Sequence, residues 1–272
     1  MVGTLIKHET RRTLPALAVI HGIATLAILT GGLLASLTIP VLSELAVVLV
    51  MVLLSATWFA AQIWLAVDFW NTGFGQRGYL THSLPVKGAL ILRARLVWAG
   101  IVAAFATVWM IVMGMVSVVL VTPMLNPGAD GWERLATGIR VLDEATAPWQ
   151  LVLLFLLGWF FVWAAQVNLY FAASLGSTPP LVGLGMGGPV LVWIGTWLVT
   201  QILGFASLLI PLAYTDLGSG AGVQVADVIR MLGVAERNQI VIPLGWLPLV
   251  MMGTVVLVFW MRHIWNHRIS LR

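Results

Sequence analysis

The chain has 272 residues, of which 60% are hydrophobic and only 9% are charged. An ordinary soluble domain carries roughly 25% charged residues, so most of this chain is expected to meet lipid rather than water. Its formal net charge of +4 rests on 14 Lys and Arg against 10 Asp and Glu, too few cations for a nucleic-acid-binding face. Because the sequence has no cysteine, disulfides and thiolate metal sites are excluded.

Residues 1–12 form the first predicted element. Met1, Val2, Leu5 and Ile6 share one helical face, and cations lie on the opposite face. The pattern predicts an N-terminal interfacial helix whose cations meet anionic headgroups; a frayed charged tail is the alternative. The apolar run that follows is too long for a signal peptide and shows no cleavage pattern, so we expect it to be kept.

Charge-free stretches mark about six transmembrane spans, because a bilayer core of about 30 Å requires about 20 apolar residues of helix. The predicted spans are residues 15–37, 45–67, 96–121, 149–173, 189–214 and 240–261. The charge-free run 145–215 is too long for one helix. The Gly- and Pro-containing segment 174–188 divides that run into the fourth and fifth spans.

The flanking cations predict the orientation of the spans. Ten Lys and Arg residues fall on the side that holds both termini, and four fall on the other side. Because short cytoplasmic loops are enriched in Lys and Arg, both termini are predicted to be cytoplasmic. The opposite, external side holds most of the acidic residues.

Two external segments have helical apolar stripes. After the third span, Asp130 is placed to cap a helix with a stripe at Trp132, Leu135, Ala136, Ile139 and Leu142. An external helical insertion is predicted between spans five and six, where the stripe consists of Val225, Val228, Ile229 and Leu232. Interfacial packing is the favoured role for both segments, and a substrate gate is the alternative.

Motifs for catalysis are absent from the sequence. It contains no phosphate-binding loop, no His-Glu-x-x-His and no Gly-x-Ser-x-Gly elbow. We therefore predict no catalytic residue, no metal site and no nucleotide hydrolysis by this chain. His263 and His267 stand four residues apart, but no acidic residue lies near them in the sequence, so interfacial anchoring is favoured over metal binding.

The predicted spans contain few polar side chains. Glu44 and Asp68 bracket the second span near its ends, and neither a paired buried charge nor an inverted repeat is visible. This disfavours an ion-coupled carrier. Interhelical hydrogen bonding is the default role of the amide side chains, with a substrate path as the alternative. These side chains are Gln62, Gln166, Asn168 and Gln201.

The segment between spans two and three has the composition of a binding surface. A plain connector would be short and polar, but this one is rich in apolar and aromatic residues: Phe69, Trp70, Phe74, Tyr79, Leu80 and Leu84. Gly75 and Gly78 permit sharp turns, and Pro85 predicts a helix start near Val86. We expect a rigid knuckle of one or two helical turns; a loop that only packs on its own helix ends is the alternative.

Residues 78–86, Gly-Tyr-Leu-Thr-His-Ser-Leu-Pro-Val, resemble the cytoplasmic loop of the ABC-2-type permeases, the membrane subunits of bacterial ABC exporters. That family commonly shows Gly-Tyr-Leu and then Thr-Leu-Pro-Val between spans two and three, with a basic residue as span three begins. Here Ser83 stands where threonine is frequent, and Arg95 stands where lysine is frequent. The predicted layout of the whole chain is similar to that of the family, while most of the chain matches only in pattern.

The resemblance implies an all-α integral membrane protein in which residues 1–272 form one transmembrane permease domain without a nucleotide-binding domain. It implies a coupling helix in the loop that docks on a separate cytoplasmic ABC ATPase subunit, which binds ATP and Mg²⁺. The coupling residues would be Phe74, Gly75, Arg77, Gly78, Tyr79, Leu80, Leu84 and Pro85.

The resemblance also implies a second permease, identical or similar, in a bacterial cell membrane, and a chain that binds no cofactor and no nucleic acid itself. The expected cargo is lipophilic or amphipathic and moves outward. Two other hypotheses remain: a non-transporting scaffold or regulator that binds a partner through the same loop, and an ion-coupled secondary carrier.

Overall fold

The computed structural model describes residues 2–75, 78–79, 83, 85–179, 181–215, 222–225, 228–230 and 241–267. Within these ranges the long helices are α1 (Val2–Ser36), α2 (Leu42–Gly73), α3 (Gly88–Leu125), α4 (Gly131–Ala145), α5 (Pro148–Gly176), α6 (Gly187–Ala206) and α7 (Trp246–His267). Among the described residues, every one of these helices except α4 is long and apolar enough to cross a membrane. The prediction of six helices that are long and apolar enough to span a membrane is confirmed.

Helix α1 runs without interruption from Val2 to Ser36 and contains Pro15. The prediction of a separate interfacial helix over residues 1–12 is therefore wrong, because these residues are the first turns of the first spanning helix. Thr13 is buried, and its hydroxyl accepts a hydrogen bond from Nε1 of Trp98 on α3 at 2.8 Å. Packing of α1 on α3 stabilises the helical conformation of this part of α1. This packing is a tertiary effect, so the amphipathic pattern of residues 1–12 could not predict it.

A helix follows span three at the predicted place in the chain. Helix α4 begins directly after Asp130, whose side chain accepts a hydrogen bond from the Trp132 N–H at 3.0 Å. This is the standard N-cap interaction, which satisfies one of the free amide groups of the first turn. Trp132 and Ile139 of the predicted stripe are exposed in the chain.

The segment between α6 and α7 contains short strands, so the predicted helical insertion is wrong in part, while the six spanning elements are all helices. In the described residues, β1 (Ala213–Thr215) pairs antiparallel with β2 (Gly222–Gln224) and with β3 (Val241–Pro243), in the order β2-β1-β3. Tyr214 is paired with Val223 and with Ile242, residue types that favour strands. Residues 228–230 are helical as predicted, and Leu232 lies outside the described residues.

The last two spans are displaced from their predicted positions by this sheet. Helix α6 ends at Ala206 and is followed by a 3₁₀ turn at Ser207–Leu209, whereas the prediction extended to residue 214. Helix α7 begins at Trp246 instead of near residue 240 and continues to His267. Hydropathy alone does not separate a short apolar strand from the end of an apolar helix.

The division between α5 and α6 follows the prediction. Helix α5 ends at Gly176, a 3₁₀ turn covers Leu181–Leu184, and α6 begins at Gly187. Gly176 and Gly188 lie against each other, and a Cβ atom on either one would collide with the backbone of the other segment. Glycine is therefore required at both positions by the close approach of the two helix ends.

Contacts divide the chain into two compact units. Unit 1 comprises Met1–Thr72 and Leu84–Gln166, and unit 2 comprises Gly73–Ser83 and Val167–Arg272. In unit 1, Ile28, Val50 and Met113 form a buried apolar cluster from α1, α2 and α3.

Indole hydrogen bonds add to the packing within each unit. In unit 1, the α5 residues Trp159 and Trp163 donate to the α3 carbonyl groups of Gly100 and Leu96, at 2.8 and 3.0 Å. In unit 2, Trp265 of α7 donates to the hydroxyl of Ser174 on α5 at 3.1 Å. Each of these bonds gives a buried or half-buried indole N–H a partner that lipid could not supply.

Candidate functional site

The loop after α2 starts with a buried aromatic side chain. Phe74 is only 4% exposed, and its ring meets the Trp265 ring of α7 edge-on, with 5.4 Å between the centroids. Both residues belong to unit 2. Phe74 was predicted to contact a partner, but in this structure it is an internal anchor of the loop.

The next part of the loop is helical where the structure describes it. The N–H of Gly78 donates to the Gly75 carbonyl at 2.8 Å, and the N–H of Ser83 donates to the Tyr79 carbonyl at 2.9 Å. The second bond has the spacing of an α-helical turn, and the predicted knuckle stays a prediction because residues 76–77, 80–82 and 84 lie outside the described residues. Tyr79 is 60% exposed and Pro85 is exposed. The other predicted coupling residues, Arg77, Leu80 and Leu84, lie outside the described residues.

A buried arginine joins the two helices that flank the loop. Arg95, near the start of α3, is 2% exposed. Its guanidinium donates to Thr72 Oγ1 at 3.0 Å and to the Phe69 carbonyl at 3.3 Å, both near the end of α2. The guanidinium carbon also lies 5.2 Å from the centroid of the Phe69 ring, in cation–π range.

Three further charges extend this arrangement to α1. Nε of Arg95 donates to Glu9 Oε1 at 3.1 Å, and Glu9 also pairs with Arg12. Arg12 donates to both carboxylate oxygens of Asp68 on α2, at 3.1 and 2.7 Å. Two cations and two acids therefore balance one another, and we call Glu9, Arg12, Asp68 and Arg95 the charge cluster.

The charge cluster corrects the expectation that no buried charge pair exists. Arg95 and Glu9 form one, with side chains 3% and 12% exposed. The pair lies near helix ends rather than within the charge-free parts of the spans. Glu9 and Arg12 fell within the predicted interfacial helix, and their i, i+3 spacing was the one local signal of an ion pair. Nothing local links Glu9 to Arg95.

Two of the four predicted amide residues line one cavity in unit 1. Gln62 of α2 and Gln166 of α5 border it together with Trp58 of α2 and a row of small α3 residues, Ala99, Ala103 and Ala106. The space open to the centre of a water molecule is about 10 Å³. The two glutamines are 7% and 2% exposed.

The other two amides lie elsewhere, in unit 2. Asn168 accepts a hydrogen bond from the Thr196 hydroxyl at 2.9 Å, which joins α5 to α6. This is the interhelical role that sequence reasoning gave as the default. Gln201 is exposed on α6.

His21 is a buried polar residue that sequence reasoning passed over. It is 4% exposed on α1, and its ring lies edge-on to Phe105 and Trp109 of α3, at 5.1 and 5.2 Å. Nδ1 lies 2.9 Å from the Leu17 carbonyl, so it carries the proton in that hydrogen bond. Its position within a predicted span was the signal available.

Among the described residues, no group of three or more His, Asp or Glu side chains is arranged to hold a metal ion. Comparison of the chain with protein-family models, with curated proteins and with solved structures gives no match.

Proposed function

We propose that this chain is the permease subunit of an ATP-driven exporter and that the loop after α2 couples it to a separate ATPase subunit. The observation that carries the proposal is the loop itself: an exposed Tyr79 stands on a helical turn, and the helices that flank the loop are joined by the buried Arg95. The resemblance of residues 78–86 to the loop of the ABC-2-type permeases implies that the partner of this surface is an ABC ATPase subunit.

A coupling element has to transmit force, and this requires a stiff base. Arg95 binds the carbonyl of Phe69 and the hydroxyl of Thr72, so the start of α3 is fixed to the end of α2. A loop on two independently mobile helices would absorb a push by bending. With its two flanking helices joined, a push on Tyr79 is passed to the helices.

The first residue of the loop offers a second route for the motion. Phe74 packs on Trp265, and Trp265 is hydrogen bonded to Ser174. Movement of the loop would thus reach α7 and α5 within unit 2. In the proposed cycle, closure of the ATPase subunits on ATP and Mg²⁺ pushes the loop and rearranges the spans.

The remaining features follow from the family likeness and from the charge distribution. Both termini and the loop are cytoplasmic, and α4 and the three-stranded sheet are external. A second permease, identical or similar, completes the transporter in a bacterial cell membrane. The cargo is lipophilic or amphipathic and leaves the cell. The chain itself carries no catalytic residue and binds no cofactor.

Capture of the tagged, detergent-solubilised protein tests the proposal. We expect an ATP-hydrolysing subunit to accompany the wild type and to be lost, or to become uncoupled, in Tyr79→Ala/Leu84→Asp. Trp132→Ala is the matched control, because Trp132 is an exposed aromatic residue on α4. A partner without nucleotide chemistry would favour the scaffold hypothesis, and the absence of any ATPase would overturn the permease proposal.

A further inference from the structure

The cavity between α2, α3 and α5 presents hydrogen-bonding groups that its walls do not satisfy. Nε1 of Trp58, Nε2 of Gln62 and both amide atoms of Gln166 are buried, and none of them has a partner among the residues that the structure describes. Polar groups without partners are costly in an apolar interior and more so within a lipid bilayer. The cavity therefore has three donor atoms and one acceptor atom that a bound molecule or group could satisfy.

The size of the cavity limits that occupant. About 10 Å³ is open to the centre of a water molecule, close to the minimum for one buried water, which also needs about two to four polar partners. The room exists because α3 presents alanine at 99, 103 and 106. This room suits one oxygen atom.

The lining also limits the charge of the occupant. No charged side chain is among the described residues that border the cavity, so an ionised group there would remain unpaired. A neutral oxygen accepts from the indole and amide N–H groups, and a water or hydroxyl also donates to Oε1 of Gln166.

We propose that this cavity binds one uncharged oxygen, that of a water molecule or that of a hydroxyl group at the end of an amphipathic cargo. The second source rests on the proposed function and on the alternative role of Gln62 and Gln166 as part of a substrate path. The first source does not depend on it. In either case the amides of α2 and α5 share one bound atom.

Thermal unfolding of the purified full chain in nanodiscs tests whether Gln62 and Gln166 bind the same atom. Gln62→Met and Gln166→Met keep the side-chain shape but remove the hydrogen bonds. We expect each to lower the apparent melting temperature by about 2–4 °C and the double variant to lower it by less than the sum, because both amides bind the same atom. Gln201→Met, on the exposed amide of α6, is the control and should leave the melting temperature unchanged.

Added 1-decanol, with decane and decanoate as matched probes, separates the two sources. If a cargo hydroxyl binds here, decanol alone raises the wild-type melting temperature, and Gln166→Met removes the rise. If decanol has no effect while the methionine variants are destabilised, the oxygen is that of water.

Methionine variants that melt at or above the wild type, together with no decanol effect, would show a dry cavity and overturn the proposal. None of these measurements needs an ATPase, so their failure is distinguishable from failure of the permease assignment.

Discussion

Nε of Arg95 lies 3.1 Å from Oε1 of Glu9, although 86 residues separate them in the chain. The contact joins α3 to α1, and the remaining donors of Arg95 join it to α2. Arg95 is thus a buried cation whose three guanidinium nitrogens each have a partner. Removing one member of a buried ion pair leaves the other charge unpaired in an apolar interior, which is costly.

Arg95→Met should therefore destabilise the protein strongly. The change leaves Glu9 with Arg12 alone and leaves the Thr72 hydroxyl and the Phe69 carbonyl without the guanidinium. We expect a loss of about 3–5 kcal/mol, the usual cost of breaking a buried ion pair, measured by thermal or chemical unfolding. Arg93→Met is the matched control on the exposed side of α3 and should change stability by about 0.5 kcal/mol or less. Equal effects of the two variants would contradict the role given to Arg95.

The outer half of the charge cluster should respond to salt. The side chains of Arg12 and Asp68 are 34% and 18% exposed, so Asp68→Asn is expected to cost about 1 kcal/mol or less. Because salt screens exposed charges more than buried ones, this loss should shrink in about 0.5 M salt, where the Debye length falls below about 8 Å. The loss in Arg95→Met should remain. The test is to measure the unfolding of both variants at two salt concentrations. A loss that shrinks with salt in Arg95→Met but not in Asp68→Asn would contradict the burial described here.

Much of the helical layout could be predicted because its causes are local. Lipid requires long apolar helices, so hydropathy identifies the spans. The cap at Asp130 depends on a residue only two positions away, and the break between α5 and α6 is set by the glycines that meet at 176 and 188. The resemblance at residues 78–86 also rests on one short segment, and it stays a prediction.

The features that the sequence did not predict have long-range causes. Helix α1 continues through residues 9–15 because Thr13 and Glu9 bind side chains of α3. The strands at 213–215, 222–224 and 241–243 are stabilised by pairing with one another across the sheet, which the sequence of each strand alone does not show. Gln62 and Gln166 could be identified as polar residues within spans. That they share a cavity depends on the small α3 side chains between them, which no local pattern shows.

Close contact of α1 and α3 at Gly32 gives a packing prediction. A Cβ at this position would lie 2.7 Å from Cδ1 and 2.9 Å from Cβ of Leu120, so Gly32→Ala should cost about 1–3 kcal/mol by overpacking. Leu120→Ala in the same chain should recover part of the loss. Gly114→Ala meets nothing within 4 Å and should be neutral or slightly stabilising. Unfolding measurements check all three, and a neutral Gly32→Ala would show that the helices are further apart.

Orientation can be measured directly because the chain has no native cysteine. If the loop is cytoplasmic and α4 external, a membrane-impermeant maleimide added to intact cells should label Trp132→Cys and not Tyr79→Cys. Both residues are exposed in the folded chain, so both should react after the membrane is opened. The reverse pattern would place the loop outside and remove it from any cytoplasmic ATPase.

The most direct measurement of the central claim is photo-crosslinking in cells from position 79, with position 132 as the matched exposed site. A photoreactive residue in place of Tyr79 is expected to form an adduct with an ATP-hydrolysing subunit, identified by mass spectrometry, and the same residue in place of Trp132 should form none. An adduct at position 79 that contains only a protein without nucleotide chemistry, or no adduct there while the ATPase appears at position 132, would contradict the coupling role of the loop.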